Sequence, residues 1–270
     1  MSASMSHRAR RRFGQNFLSD PSIIQQMAMV IQPQPGQPFL EIGPGEGALT
    51  RPLLDAGVKL SAIEIDRDLA ARLKTWPEAA TGQLVVTTDD ALQHPIATLT
   101  ELDAAHPLRI VGNLPYNLST PLLFHLTESL DNVADLHLLL QKEVVDRMAA
   151  EPGSGIYGRL SVMLQYRCQV RPVLSVPPEA FRPAPQVHST FVRLLPLKAP
   201  PLAGVPPDAL AEVVKQAFGQ RRKTLRNALT GILTAEQISA SGIDPSIRAE
   251  QIDPVGFGQL AIMRAAVKEI

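Results

Sequence analysis

The 270-residue chain has one cysteine, Cys168, and one tryptophan, and aromatic residues make up only 4% of it. A lone thiol cannot close an internal disulfide, and it cannot supply the several thiolates of a structural zinc site. Cys168 is therefore read as a small buried hydrophobe. The six histidines are scattered, with no H-x-x-x-H pair, so no metal is expected. No apolar run reaches the length of a membrane span. The opening stretch M-S-A-S-M-S-H-R-A-R-R-R lacks the apolar core of a signal peptide. A cytoplasmic location and no membrane partner are expected. Charge of one sign is also lacking, with 26 basic against 26 acidic residues, so global charge advertises no polyanionic partner.

What is present begins with an apolar fraction of 45%. That suits a globular protein with one large domain and a smaller one. Charge is neutral in sum but clustered. Arg8, Arg10, Arg11 and Arg12 form one basic group, and Arg221, Arg222, Lys223 and Arg226 form another. Each alone fits a solvated tail or helix face; two together in a neutral chain lean toward phosphate contacts.

The periodicity alternates strand and helix. Residues 20–32 read as a helix with Asp20 as N-cap and Pro21 at its first position. F-L-E-I-G then reads as a buried strand, followed by a helix from about Ala48 to Ala56. Strands are expected at Lys59–Asp66, Gln83–Asp90, Arg109–Asn113 and Ala134–Gln141, with helices at Asp68–Lys74, after Asn117 (capped by Ser119 or Thr120) and around Lys142–Met148. The class is α/β, a doubly wound parallel sheet, in which ligands sit at the carboxyl ends of the strands. Residues 196–207 are too rich in proline for a helix or central strand. They separate a first domain, 1–197, from a C-terminal domain of short helices, 206–270.

E-I-G-P-G-E-G, Glu41 to Gly47, closes the first strand. Its spacing is G-x-G-x-G rather than G-x-G-x-x-G, and Pro44 removes an amide that would cradle a pyrophosphate. Alone it fits a tight turn as well as a nucleotide site. About twenty residues on, Glu64 falls where an acid can accept both ribose hydroxyls. Asp90 ends the third strand, where a carboxylate can accept from an adenine amino group. Q-N-F-L, Gln15 to Leu18, fits either an N-terminal loop with an aromatic anchor or a lid over one end of the cofactor. This arrangement resembles class I methyltransferases.

N-L-P-Y, Asn113 to Tyr116, follows the fourth strand. An adenine exocyclic nitrogen is a poor nucleophile because its lone pair is delocalised into the ring. Acceptors on its two N–H groups favour a pyramidal nitrogen with a localised lone pair. The Asn113 side-chain oxygen and the Leu114 carbonyl can be those acceptors, Pro115 stiffens the loop, and Tyr116 offers a stacking face. Phe181, in A-F-R-P-A-P-Q-V-H-S, fits a second aromatic clamp or an ordinary core residue beside a proline-rich turn.

R-F-G-Q-N-F-L, E-I-G-P-G, N-L-P-Y-N-L-S-T-P-L, L-Q-K-E-V-V, Y-G-R-L-S-V-M-L-Q-Y, F-R-P-A-P-Q-V-H-S and Q-R-R-K-T-L-R-N-A-L occur in this order. Together they resemble the small-subunit (16S) rRNA adenine N6,N6-dimethyltransferases of the KsgA type, from about Arg10 to past Arg248. The resemblance implies S-adenosylmethionine as cofactor, S-adenosylhomocysteine as product, and dimethylation of two adjacent adenosines in the 3′-terminal hairpin of 16S rRNA. It implies a late immature 30S subunit as partner, and a monomer when free is expected. Cofactor contacts are implied at Asn16, Leu18, Gly43, Glu64, Asp90 and Asn113. The target adenine is implied at Asn113, Leu114, Tyr116 and Phe181, and ribosomal RNA at Arg221, Arg222 and Lys223. Gln186 stands where the family usually has lysine.

Overall fold

The computed structural model describes residues 15–94, 106–128 and 130–268. The basic group Arg8, Arg10, Arg11 and Arg12 lies outside them. The chain forms two compact units: Met1–Val145 with Arg171–Pro196, and Asp146–Val170 with Leu197–Ile270.

Nine strands are described: β1 (Phe17–Leu18), β2 (Pro38–Ile42), β3 (Lys59–Ile63), β4 (Leu84–Thr87), β5 (Leu108–Asn113), β6 (Val133–Gln141), β7 (Cys168–Val176), β8 (Phe181–Arg182) and β9 (Ser189–Pro196). Seven of them make one sheet in the order β4-β3-β2-β5-β6-β9-β7. The pairs from β4 to β6 are parallel, and β9 joins β6 antiparallel. The parallel expectation therefore holds for the five strands that were read from sequence. The antiparallel strand β9 was not read, because nothing local distinguishes a strand that returns antiparallel from one that crosses over. β2 lies between β3 and β5, so the winding reverses there. A crevice opens at such a switch point, at the carboxyl ends of the two strands.

The helices of the first unit follow local chemistry. α1 (Pro21–Ile31) starts where the Asp20 side chain accepts from the Ser22 and Ile23 amides, and it stops at Gln32 in the left-handed region, just before Pro33. α2 (Thr50–Asp55) and α3 (Arg67–Leu73) follow β2 and β3, and Asp66 caps α3. A single turn, α4 (Pro77–Ala80), leads into β4. α5 (Ser119–Leu126) is preceded by Leu118, which makes no side-chain cap. The expected cap at Ser119 or Thr120 is thus replaced: the Ser119 hydroxyl donates instead to the Pro115 carbonyl at 3.1 Å. β3 and β4 are shorter than expected, ending at Ile63 and Thr87. The acids Glu64 and Asp90 accordingly sit in the loops beyond the strands.

α6 (Lys142–Met148) leads into the second unit, which contains α7 (Arg159–Gln165), α8 (Pro207–Gly219), α9 (Leu225–Ala228), α10 (Ala235–Ala240) and α11 (Pro254–Lys268). Residues 146–170 precede the proline-rich segment yet group with the helices after it. The reason is apolar packing and backbone pairing. Tyr157 meets Phe218 edge-on, Phe218 lies 5.5 Å from Phe257, the Tyr157 hydroxyl donates to the Ile252 carbonyl, and the Gly153 amide donates to Glu250. On α8 the buried positions Ala209, Leu210, Val213, Val214 and Ala217 form one stripe. Cys168 is free and buried, as read.

Candidate active site

The carboxyl ends of β2 and β5 border a cavity lined by Gln15 to Leu18, by Glu41 and Gly43 to Glu46, by Ala48 and Leu49, by Glu64 and Ile65, and by Asn113 to Tyr116. Four stretches far apart in the chain meet there. Of the residues read from sequence, Asn16, Leu18, Gly43, Glu64, Asn113, Leu114 and Tyr116 all reach it.

The glycine turn is set by backbone sterics. Gly43 and Gly45 both have positive φ, +67° and +60°, where a side chain is strained. A Cβ on Gly45 would also press to 3.2 Å from the Phe17 ring. The Gly45 amide donates to one Glu64 carboxylate oxygen at 3.0 Å, and the Asp66 amide donates to the other at 2.9 Å. Glu64 is only 3% exposed. Burial pushes its pKa up, while those two N–H bonds pull the other way. The carboxylate retains acceptor capacity for a further donor, which is what a ribose hydroxyl requires.

Asn113 ends β5, and its side-chain nitrogen donates to the Asn16 carbonyl at 2.9 Å. That bond orients the amide through one of its two N–H groups, and its oxygen is the acceptor. The Leu114 amide donates to Leu139 of β6, which fixes the segment to the sheet. The Pro115 carbonyl accepts from both the Leu118 amide and the Ser119 hydroxyl. Tyr116 is held through its hydroxyl, 2.6 Å from that of Ser189, and burial raises its pKa. The segment is thus held at four points with an amide oxygen at its head.

Two expected residues do not line the cavity. Asp90 caps a short turn, accepting from the Leu92 amide at 3.0 Å. Phe181 is 2% exposed and packs in the core with Leu18, Met27 and Phe191. The core option for Phe181 is the one found in this conformation; a stacking role needs the ring to leave that packing. The antiparallel pair of β1 with β8, Leu18 opposite Phe181, explains the placement. Phe17 lines the cavity instead, beside Tyr116.

Among the lining residues left unassigned from sequence, Glu41, Ile65 and Phe17 bear on the chemistry. Glu41 is buried, with its pKa pushed up to about 7 by burial, against a Thr50 hydroxyl bond and with the neighbouring Glu64 charge adding to the rise. Ile65 keeps 42% exposure beside Glu64, an apolar face at the cavity edge. Phe17 stood in the Q-N-F-L segment. The available signal was proximity in the chain, since each lies within two positions of a residue that was chosen.

In the second unit, Arg221, Arg222 and Lys223 are all exposed between α8 and α9. Arg221 is already engaged. Its guanidinium donates to the Gly155 and Tyr157 carbonyls at 3.0 and 3.1 Å and lies 3.7 Å from Glu250. Among the described residues no helix is long and apolar enough to cross a membrane, and no group of His, Cys, Asp or Glu could hold a metal ion.

Known proteins resemble this chain along nearly all of it. A family profile described as Ribosomal RNA adenine dimethylase matches residues 6–263. The Ribosomal RNA small subunit methyltransferase A of Photorhabdus laumondii is 51% identical, over 94% of this chain and 93% of the relative. Its namesake in Pseudomonas aeruginosa is 49% identical, over 97% and 96%. Among solved structures, a dimethyladenosine transferase from Plasmodium falciparum superposes with a TM-score of 0.75 at 24% identity, covering 93% of this chain and 98% of that one. The 23S rRNA methyltransferase ErmE gives 0.70 at 24%, covering 93% and 100%. At such identity the structural likeness concerns the fold alone.

Proposed function

The chain belongs to the ribosomal RNA adenine dimethylase family, and from that premise we propose that it dimethylates the N6 amino groups of two adjacent adenosines in the 3′-terminal hairpin of 16S rRNA, on an immature 30S subunit. It is an S-adenosylmethionine-dependent enzyme of the class I methyltransferase fold. The observation that carries the reading is the Asn113 amide, held by its nitrogen on Asn16 beside the turn of Gly43 and Gly45.

The residues present suit the cofactor. Glu64 has acceptor capacity left for the ribose, Ile65 offers an apolar face for a purine, and the glycine turn leaves room that a Cβ at Gly45 would fill. Asn16, Leu18 and Gly43 complete the proposed cofactor contacts, with Asp90 beyond the cavity edge. When bound, the cofactor supplies an electrophilic methyl on a sulfonium. The protein's task is alignment. Asn113 Oδ1 and the Leu114 carbonyl accept from the adenine amino group and localise its lone pair, while Tyr116 stacks on the base. No strong base is needed, since the methylated ammonium sheds its proton readily. After the first methyl one N–H remains, so the two acceptors must tolerate losing one bond.

The direct test is mass spectrometry of the 16S hairpin after undermethylated subunits are incubated with enzyme and cofactor. Dimethyladenosine at two adjacent positions is the expected result. Methylation confined to 23S rRNA would overturn the assignment.

Glu41 makes cofactor binding pH-dependent. A cation entering the cavity favours its ionised form, so binding expels a proton. Affinity is expected to rise with pH up to about 7, by at most about tenfold per pH unit, and then level off. Calorimetric titrations across that range check it, and Glu41→Gln should flatten the profile. The sign for stability is opposite. The native pKa lies above the unfolded one, so the contribution of Glu41 is full below the ordinary carboxylate pKa and is lost as pH rises through about 7.

The proposed rRNA contacts divide in two. Arg222 and Lys223 are expected to act through phosphate charge, each reducing the slope of log affinity against log salt by about one when neutralised. Arg221→Ala is expected to lower the stability of the second unit as well, because it ties two carbonyls. Filter binding across a salt series, with thermal unfolding alongside, separates these effects.

A further inference from the structure

The glycine turn has a cavity side and a back. Glu46 and Ala48 line the cavity, while Gly47 between them is outside the lining. The back of Gly47 is covered by Trp76, the single tryptophan of the chain. A Cβ on Gly47 would collide with Cη2 of that ring and stand 2.9 Å from Cζ2. The indole is in turn covered by Arg51, whose guanidinium lies 4.2 Å from the ring centroid. Arg51 is held by both carboxylate oxygens of Glu78 and by Asp55 at 3.5 Å. One helical turn before Trp76, Arg72 lies 3.7 Å from the Glu46 carboxylate. Three side chains of one short segment, Arg72, Trp76 and Glu78, thus reach residues 46, 47 and 51 of the turn and of the helix it feeds.

We propose that residues 72–78 form a clamp, with Trp76 as its positioning residue, which holds the glycine turn in the conformation that accepts the cofactor. This rests on the cavity being the cofactor site. Gly47 has φ +90°, and the Gly47 amide and carbonyl bond to Pro44 and Arg51. Gly47 has no side chain of its own to hold it and needs a surface behind it. The flat indole is that surface, and the requirement for glycine at 47 comes from the ring as well as from φ. Loss of the ring lets the turn populate other conformers. Apparent affinity then falls by the fraction still competent, whereas chemistry at saturation, set by Asn113 and Leu114, stays unchanged.

The test is calorimetric binding of S-adenosylhomocysteine, with steady-state kinetics alongside. Trp76→Ala is expected to bind about tenfold more weakly, as for a turn competent about a tenth of the time. Trp76→Phe should fall between it and the parent. KM for the cofactor should follow, with kcat at saturation and KM for RNA within about twofold, below the tenfold effect of a 1.4 kcal/mol change. In the parent, titration should change the Trp76 emission with the calorimetric affinity. If Trp76→Ala does not fold, Trp76→Phe and Glu78→Gln are read in its place, the latter through a loosened Arg51. Unchanged affinity in the folded variants overturns the clamp alone. A parent that fails to bind S-adenosylhomocysteine overturns the cofactor reading instead.

Discussion

Asn113→Ala is expected to lower kcat by about 10²–10³, the scale seen when one hydrogen-bonding group that stabilises a transition state is removed. The variant loses the acceptor that localises the lone pair of the adenine nitrogen. It also loses the donor that holds the Asn16 carbonyl at 2.9 Å, so KM for the cofactor should rise by a few fold, about 1 kcal/mol for one net hydrogen bond. Asn113→Asp separates the two roles. It retains acceptor oxygens but faces the Asn16 carbonyl with another oxygen, so its loss should fall more on cofactor affinity and less on turnover. Single-turnover methylation at saturating cofactor, paired with calorimetry, reads both quantities. Full turnover in the Ala variant would overturn the mechanism, and subunit binding should be untouched in either.

The second large effect lies away from the cavity. Asp135 of β6 is buried and accepts from Arg109 of β5 through Nε and Nη2, at 2.8 and 3.0 Å, and from Arg193 of β9 at 3.1 and 2.8 Å. Arg109 continues to the Ile31 carbonyl at 2.7 Å and lies over the Phe39 ring, so the network joins β2, β5, β6, β9 and the end of α1. Burial opposes the charge on Asp135, but His137, 3.6 Å away, and Arg109 outweigh it and hold the carboxyl well below the usual carboxylate range. Asp135→Ala strands a buried guanidinium and should destabilise the protein by about 3–5 kcal/mol. Denaturant unfolding, reading a lower midpoint at unchanged slope, is the measurement; a loss under about 1 kcal/mol would mean that water or other groups replace the carboxylate. The depressed native pKa fixes the sign with pH. The contribution of Asp135 is present above the unfolded carboxylate pKa and is lost as pH falls toward the native one. Asp135→Asn should therefore unfold less steeply in acid than the parent.

Much of the protein was legible in the chain itself. Asp20 and Pro21 start α1 and Pro33 stops it, because capping and proline geometry act within a few residues. The ordered motifs indicated the family, and matches along nearly the whole chain bear that out. Glu64 and Asn113 were legible as strand-end residues because the βα period places them at one edge. Local signals did not separate Phe17 from Phe181. Both are aromatic residues next to loops, and only the pairing of β1 with β8 decides which ring meets the cavity and which enters the core. Nor did they separate Arg221 from its neighbours, since its partners, Gly155, Tyr157 and Glu250, are remote in sequence.

The near-absence of cysteine and histidine pairs pointed from the start to chemistry without a metal, and the sequence by itself determined the fold class and the family. Those follow from residue type and short-range order, which survive without a structure. The tertiary structure alone decided how the proposed site residues are held: the Asn113 amide by its nitrogen on Asn16, the Glu64 carboxylate by backbone amides, and Gly47 by the indole behind it. Those depend on contacts between segments tens of residues apart, where burial and hydrogen-bond partners are set by packing and not by neighbours in the chain.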